Sequence, residues 1–251
     1  MAASLFPTRI CAILLDIEGT TTPVDLVFGT LFPFARARVE KFLSRHQESD
    51  DVAADLEALK QERAREAELI SELPPWREDS ANARIQSAAA YVCWLIDHDR
   101  KFTALKSLQG KIWEAGYLSG ELRGQVYPDV AAAFARWRAQ KRTIAIFSSG
   151  SVLAQKLLFA HSSAGDLTLY IGFYFDTTTG PKQDAQSYRR IAEAFGLPPA
   201  EVLFLSDVLA ELDAARRAGL ETGLCVRSGL PGTSPPSGTH PAVQSFDEVF
   251  P

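Results

Sequence analysis

The chain alternates between short runs that are apolar at nearly every position and longer stretches whose apolar residues recur every three or four positions. Ile10-Cys-Ala-Ile-Leu-Leu15, Thr143-Ile-Ala-Ile-Phe147, Tyr170 to Phe175 and Val202-Leu-Phe-Leu205 are of the first kind. Their lack of alternation predicts strands buried on both faces, as in a parallel sheet. Ala131 to Gln140, Val152 to Phe159 and Asp184 to Phe195 are of the second kind and predict helices, the last stopped by Gly196. From about Leu26 to Arg123 the strand-like runs vanish. Val39 to Leu43, Val52 to Leu73 and Ile85 to Ile96 read as helices, with a break at Pro74-Pro75 and a fresh start at Asp79-Ser80. The pattern predicts an α/β chain in two parts: a parallel-sheet core over 1–24 and 125–251, and a helical insertion over 25–124.

A length of 251 residues suits either one large α/β domain or such a core with a smaller inserted domain. Lys and Arg total 26 against 31 Asp and Glu, a formal charge of -5 with no long basic block, so a nucleic-acid partner is not expected and a small molecule is. The start lacks the basic, apolar and cleavage regions of a signal peptide, and no apolar run is long enough to cross a bilayer. Both features predict a cytoplasmic protein with no membrane partner. Cys11, Cys93 and Cys225 have no paired spacing and are expected to be inert core thiols. The histidines at 46, 98, 161 and 240 lack metal-ligand spacing and are expected on surfaces or at helix ends.

Candidate chemistry sits where the strands end. The first run closes on Asp16-Ile-Glu18-Gly-Thr20, and continued extension would point Asp16 and Glu18 to one side. The second closes on Ser148-Ser149-Gly150-Ser151 just before a helix; Ser149 or Ser151 can cap it, leaving N–H groups suited to a phosphate. Lys182 lies on the turn before the next helix, within reach of the same anion. The run 202–205 closes on Ser206-Asp207, with Glu211 and Asp213 just beyond. In a parallel sheet Asp16 and Asp207 converge at the carboxyl edge and can share a divalent cation. In the helical part, Trp94, Phe102, Trp113 and Tyr117 interleave with Arg100, Lys101, Lys106 and Lys111, which reads either as one wall of an anion pocket or as ordinary helix packing. Arg227, after Leu224-Cys-Val, either serves structure or faces the active edge.

These stations, in this order, resemble the haloacid dehalogenase-like phosphohydrolase superfamily. Asp16-Ile-Glu18-Gly-Thr20 matches its nucleophile loop, Ser148 its phosphate-binding hydroxyl, Lys182 its charge-stabilising lysine and Asp207 its metal-ligating acid. The resemblance implies a Rossmann-like core, and it makes the insertion an all-helical cap domain. Two departures stand out: Glu18 where most family phosphatases carry aspartate, and Glu211 where a second aspartate is common. Asp-Ile-Glu18-Gly-Thr-Thr-Thr22, Leu105 to Trp113 and Phe147 to Ser162 are more closely similar to the enolase-phosphatase (acireductone synthase) family of methionine salvage.

That narrower resemblance implies a small phosphorylated diketone substrate, 2,3-diketo-5-methylthiopentyl-1-phosphate, which is enolised and then dephosphorylated. It implies one Mg²⁺ per subunit, held by Asp16, Asp207 and the backbone carbonyl of Glu18, and a monomer. Asp16 would be the nucleophile and Glu18 the general acid and base, with Ser148, Ser149 and Lys182 on the phosphate. The enolisation base is left between Glu18 and residues near Arg100 and Lys101. A general phosphomonoester hydrolase, a dehalogenase and a catalytically idle phosphometabolite-binding protein are the competing accounts.

Overall fold

The computed structural model describes residues 5–100, 102–227 and 239–251. Lys101, and the part of the loop expected over 228–241 that runs from 228 to 238, lie outside the described residues. The chain divides into two compact units, Met1–Leu26 with Arg123–Pro251, and Val27–Leu122.

The first unit is built on β1 (Ala12–Leu15), α5 (Val130–Ala139), β2 (Thr143–Phe147), α6 (Val152–Ala160), β3 (Ile171–Phe175), α7 (Ala185–Phe195), β4 (Val202–Ser206), α8 (Leu209–Arg217), β5 (Glu221–Cys225) and β6 (Ala242–Val243); α1 to α4 belong to the insertion. All six strands are parallel, in the order β3-β2-β1-β4-β5-β6. The chain leaves β1 for β2 and β3, then returns to lay β4 on the other side of β1. The order therefore reverses between β1 and β4, and the crevice beyond their carboxyl ends is where open α/β sheets hold ligands. The apolar runs form strands because both faces are covered. Leu14, Phe147 and Phe204 pack with Tyr188, Ile191 and Leu212 of α7 and α8, all of them buried. Phe134 and Trp137 of α5 and Phe159 of α6 are also fully buried. Burying each large apolar side chain contributes about 1.5–3 kcal/mol, which anchors the strand ends that carry the polar residues.

A π-helical turn, Leu26–Leu31, starts at the last residue of the first unit's leading segment and runs into the second unit's α1 (Phe32–His46), which is followed by α2 (Asp50–Glu66), α3 (Ala81–Asp97) and α4 (Thr103–Leu118). The helix expected to reach Leu73 stops at Glu66. Its buried stripe of Val52, Leu56 and Leu59 has no continuation, since Leu69 is exposed. The segment past it folds back, with Arg63 Nε donating to the Pro74 carbonyl at 2.7 Å. Ordinary helix packing accounts for three of the residues considered for a pocket wall. Trp113 stacks on Phe32 and donates from Nε1 to the Leu31 carbonyl at 2.8 Å, Tyr117 is buried, and Lys111 pairs with Asp55 at 2.7 Å.

Two minor expectations are corrected. Cys11 precedes β1 rather than belonging to it and is exposed, while Cys225 within β5 is buried. His240 is buried, with Nδ1 at 2.7 Å from Thr222 Oγ1 and Nε2 at 3.2 Å from Asp213 Oδ1. His46, His98 and His161 end or cap helices as expected.

Candidate active site

Asp16 follows β1 directly and is buried, with its amide donating to the Leu205 carbonyl of β4 at 3.0 Å. That bond places it over the reversal in strand order. The strand does not extend to Glu18. Ile17 O accepts from the amides of Thr21 and Thr22, each at 2.9 Å, so the chain curls into a tight loop with Gly19 at φ 67°. Loop geometry, rather than strand alternation, therefore sets where Glu18 lies. Its charge helps raise the pKa of Asp207, which puts both acids in one electrostatic neighbourhood.

The Asp16 carboxylate is held on both oxygens. Oδ1 accepts from the Ile17 amide at 2.7 Å and from Lys182 Nζ at 2.6 Å, and Oδ2 accepts from Ser206 Oγ at 3.1 Å. Lys182 also meets Glu211 Oε2 at 2.7 Å, and Ser206 lies 3.2 Å from the same oxygen. One ammonium thus joins two acids that share a serine. Burial works against the Lys182 charge, but Asp16 and Glu211 outweigh it and hold the ammonium above its usual pKa. Burial and the Asp16 charge push Glu211 up to about 7 despite Lys182, and the same two causes push Asp207 up to about 6. A single lysine does not neutralise this much buried carboxylate.

Lys182 is aimed by its turn. Tyr188 Oη, one helical turn into α7, donates to the Lys182 carbonyl at 2.7 Å, and Ser187 Oγ donates to the Pro181 carbonyl at 2.7 Å. Gly180 has φ 141°, and a Cβ there would lie 2.3 Å from Ser187 Oγ, so this turn needs glycine. Ser148 and Ser149 sit at the carboxyl end of β2, which pairs with β1. Ser148 is buried, with Oγ accepting from the Gly150 amide at 3.2 Å. Ser151, rather than Ser149, caps α6 by accepting from Ala154 N at 3.3 Å. Among the described residues no three His, Cys, Asp or Glu side chains converge as a metal-binding group. Any metal here would rely on backbone and ligand oxygens for part of its shell.

A family model described as haloacid dehalogenase-like hydrolase matches residues 10–219. The chain is 54% identical over 243 residues to "Enolase-phosphatase E1" of Synechococcus elongatus, covering 97% of this chain and 99% of that one. It is 48% identical to the protein of that name from Sorangium cellulosum, covering 96% and 97% respectively. The chain belongs to the enolase-phosphatase E1 family. The crystal structure of the UTR4 protein from Saccharomyces cerevisiae superposes with a TM-score of 0.76 at 34% identity, over 95% of this chain and 99% of that one. Membership in this family of haloacid dehalogenase-like hydrolases makes the chain an enzyme, and the family implies a divalent metal.

Two polar residues of this enolase-phosphatase family member support the site without having been singled out from sequence. Ser206 bridges Asp16 and Glu211, and Gln155, fully buried in α6, donates to the carbonyls of Gly150 at 2.9 Å and Phe175 at 2.8 Å. Gln155 had one available signal: an amide that, with Lys156, interrupts the otherwise apolar run Val152 to Phe159. Ser206 had none beyond its place beside Asp207.

Proposed function

We propose that the chain is a bifunctional enolase-phosphatase that converts 2,3-diketo-5-methylthiopentyl-1-phosphate to 1,2-dihydroxy-3-keto-5-methylthiopentene. The observation that carries this reading is the buried Asp16 carboxylate, fixed at the sheet's switch point by Lys182 and Ser206. A carboxylate so fixed is poised as a nucleophile rather than as a solvated strand end.

Asp16 attacks phosphorus in line, forming an aspartyl phosphate as the bond from phosphorus to the leaving oxygen breaks. Ser148, the Ser149 backbone and Lys182 bind the phosphoryl oxygens, supplying the positioning and charge that phosphoryl transfer requires. Glu18 protonates the leaving oxygen, then takes a proton from the water that cleaves the aspartyl phosphate. In the enolisation that precedes this, Glu18 removes the proton from the carbon acid. Residues near Arg100 and Lys101 are the competing candidates for that base.

The donors fit a hard cation. Asp207 is raised to about 6 by burial and by the Asp16 charge, so the pair carries more negative charge than Lys182 balances, and every donor offered is oxygen. Asp16, Asp207 and the Glu18 carbonyl would hold one Mg²⁺, which supplies Lewis-acid stabilisation of phosphoryl charge. We assign 1–24 with 125–251 as the catalytic core and 25–124 as the cap, and we take the protein to be a cytoplasmic monomer. No helix among the described residues is long and apolar enough to cross a membrane.

The test follows the diketo phosphate by ultraviolet absorbance and phosphate release together, with Mg²⁺ present or chelated, in wild type and Asp16→Asn. Enol absorbance followed by phosphate release that needs both Mg²⁺ and Asp16 is expected. Release from unrelated esters with none from this substrate would leave a general phosphomonoesterase instead. For Glu18→Gln, unchanged substrate proton exchange beside lost turnover would remove Glu18 as the enolisation base.

A further inference from the structure

Arg227 is a cation buried to 4% exposure two residues beyond β5, and its guanidinium is spent on the nucleophile loop. Nε and Nη2 both donate to the Thr20 carbonyl, at 2.9 and 2.7 Å. Nη1 donates to Asp129 Oδ2 at 2.6 Å. The guanidinium carbon lies 4.5 Å from the centre of the Tyr127 ring and 4.3 Å from that of Phe246. Asp129 in turn accepts from the Phe246 amide at 2.6 Å and from Ser245 Oγ at 3.2 Å. The Tyr127 amide donates to the Thr21 carbonyl at 3.0 Å, a second strut from the same side.

The two bonds to one carbonyl are the informative part. The loop amides of Thr21 and Thr22 converge on Ile17 O, and that of Gly19 on Thr22 O, so the loop's internal bonds set its curl but not its position over the sheet. The Asp16 amide anchors the start of the loop to Leu205 O of β4; past Asp16, a forked, charge-assisted pair on Thr20 O joins the Tyr127 strut in tying the loop down, and the two rings against the guanidinium hold its plane. Arg227 has no bond to Asp16 and does not act on substrate directly.

We infer that Arg227 is a positioning residue for phosphoryl transfer, holding residues 16–22 so that Asp16 stays in line with phosphorus. The inference rests on the proposed phosphatase reading for its kinetic consequence, whereas the loop geometry stands independently. A lysine keeps the charge beside Asp129 but cannot reproduce the fork on Thr20, so Arg227→Lys isolates the role.

The matched control is Arg136→Met. Arg136 ties the same C-terminal turn through the carbonyls of Phe246, at 2.7 Å, and Phe250, at 3.0 Å, with no bond to the loop. Arg227→Lys is expected to lower kcat roughly ten- to a hundredfold with KM changed little, the penalty of misaligned reacting groups. Arg136→Met is expected to lower the melting temperature and leave kcat near wild type. Amide hydrogen exchange, read on a peptide covering 16–24 and another covering α5, supplies the second readout. Faster exchange confined to 16–24 in Arg227→Lys supports positioning. Equal acceleration in both peptides, or wild-type kcat with unaltered exchange, overturns it. Should wild type release no phosphate, the functional proposal fails while the exchange pattern still decides whether Arg227 positions the loop.

Discussion

Gly19 approaches Asp207 so closely that a Cβ on Gly19 would lie 2.1 Å from Asp207 Oδ2. The glycine also has φ 67°, a conformation that other residues adopt at a cost. Close approach and backbone sign thus select glycine twice, and the acid is wedged against the loop that carries the nucleophile. Gly19→Ala is expected to displace Asp207 and cut phosphate release roughly a hundredfold or more, since misplacement of catalytic groups by about an ångström has that effect. Steady-state phosphate release across a Mg²⁺ titration checks this. Wild-type activity with a wild-type Mg²⁺ requirement would show that Asp207 does not need this contact.

Lys182 is expected to matter to the fold as well as to the reaction. It pairs with Asp16 at 2.6 Å and Glu211 at 2.7 Å, and all three side chains are nearly buried. Lys182→Met leaves two acids facing each other with no cation between them. Breaking such a buried pair costs about 3–5 kcal/mol. Urea unfolding in metal-free buffer measures the loss, and adding Glu211→Gln to the variant is expected to recover part of it. An unchanged midpoint would mean that solvent reaches these groups freely.

The sheet and its polar strand ends were legible because both rest on local pattern. Thr143 to Phe147 is a strand in both readings, and Val202 to Ser206 differs from the expected run by one residue. Order along the chain and resemblance identified Asp16, Lys182 and Asp207 as candidates. What stayed hidden depends on contacts between distant residues. Nothing near Arg227 in the sequence announces Thr20, and nothing near Ser206 announces that its hydroxyl serves both Asp16 and Glu211. Alternation places Asp16 and Glu18 on one side only while a strand lasts, and four amides and a hydroxyl turned inward end this one after Leu15.

Glu211 gives a pH dependence with a definite sign. Its folded pKa, about 7, lies above that of an ordinary glutamate because burial and Asp16 disfavour its charge. The folded state therefore holds a proton that the unfolded state releases, and stability contributed by the protonated acid is lost as pH rises from about 4.5 to 7. Glu211→Gln cannot ionise and escapes this loss. Relative to wild type in metal-free buffer, the variant is expected to gain roughly 1–3 kcal/mol between pH 5 and pH 8. Denaturant unfolding at the two pH values reads the difference directly. A variant that loses ground as pH rises would mean that the Lys182 pair outweighs burial and the Asp16 charge.

Cys225 offers a chemical report on the same end of β5. Burial pushes its thiol up to about 12, with nearby Arg227 pulling the other way, and the side chain is buried. At pH 8 its thiolate fraction is on the order of one in ten thousand, and even that fraction is shielded from reagent. Cys11 is exposed and Cys93 is half-buried. An aromatic disulfide reagent is therefore expected to label Cys11 first and Cys93 more slowly, with Cys225 labelled only as β5 opens. Arg227→Lys should speed Cys225 labelling, because Arg227 helps close the loop side of this strand end. Mass spectrometry of the labelled peptides resolves the three sites. Labelling of Cys225 in native wild type at a rate similar to Cys11 would show that the strand end under Arg227 opens readily, and that the guanidinium clamps far less than its contacts indicate.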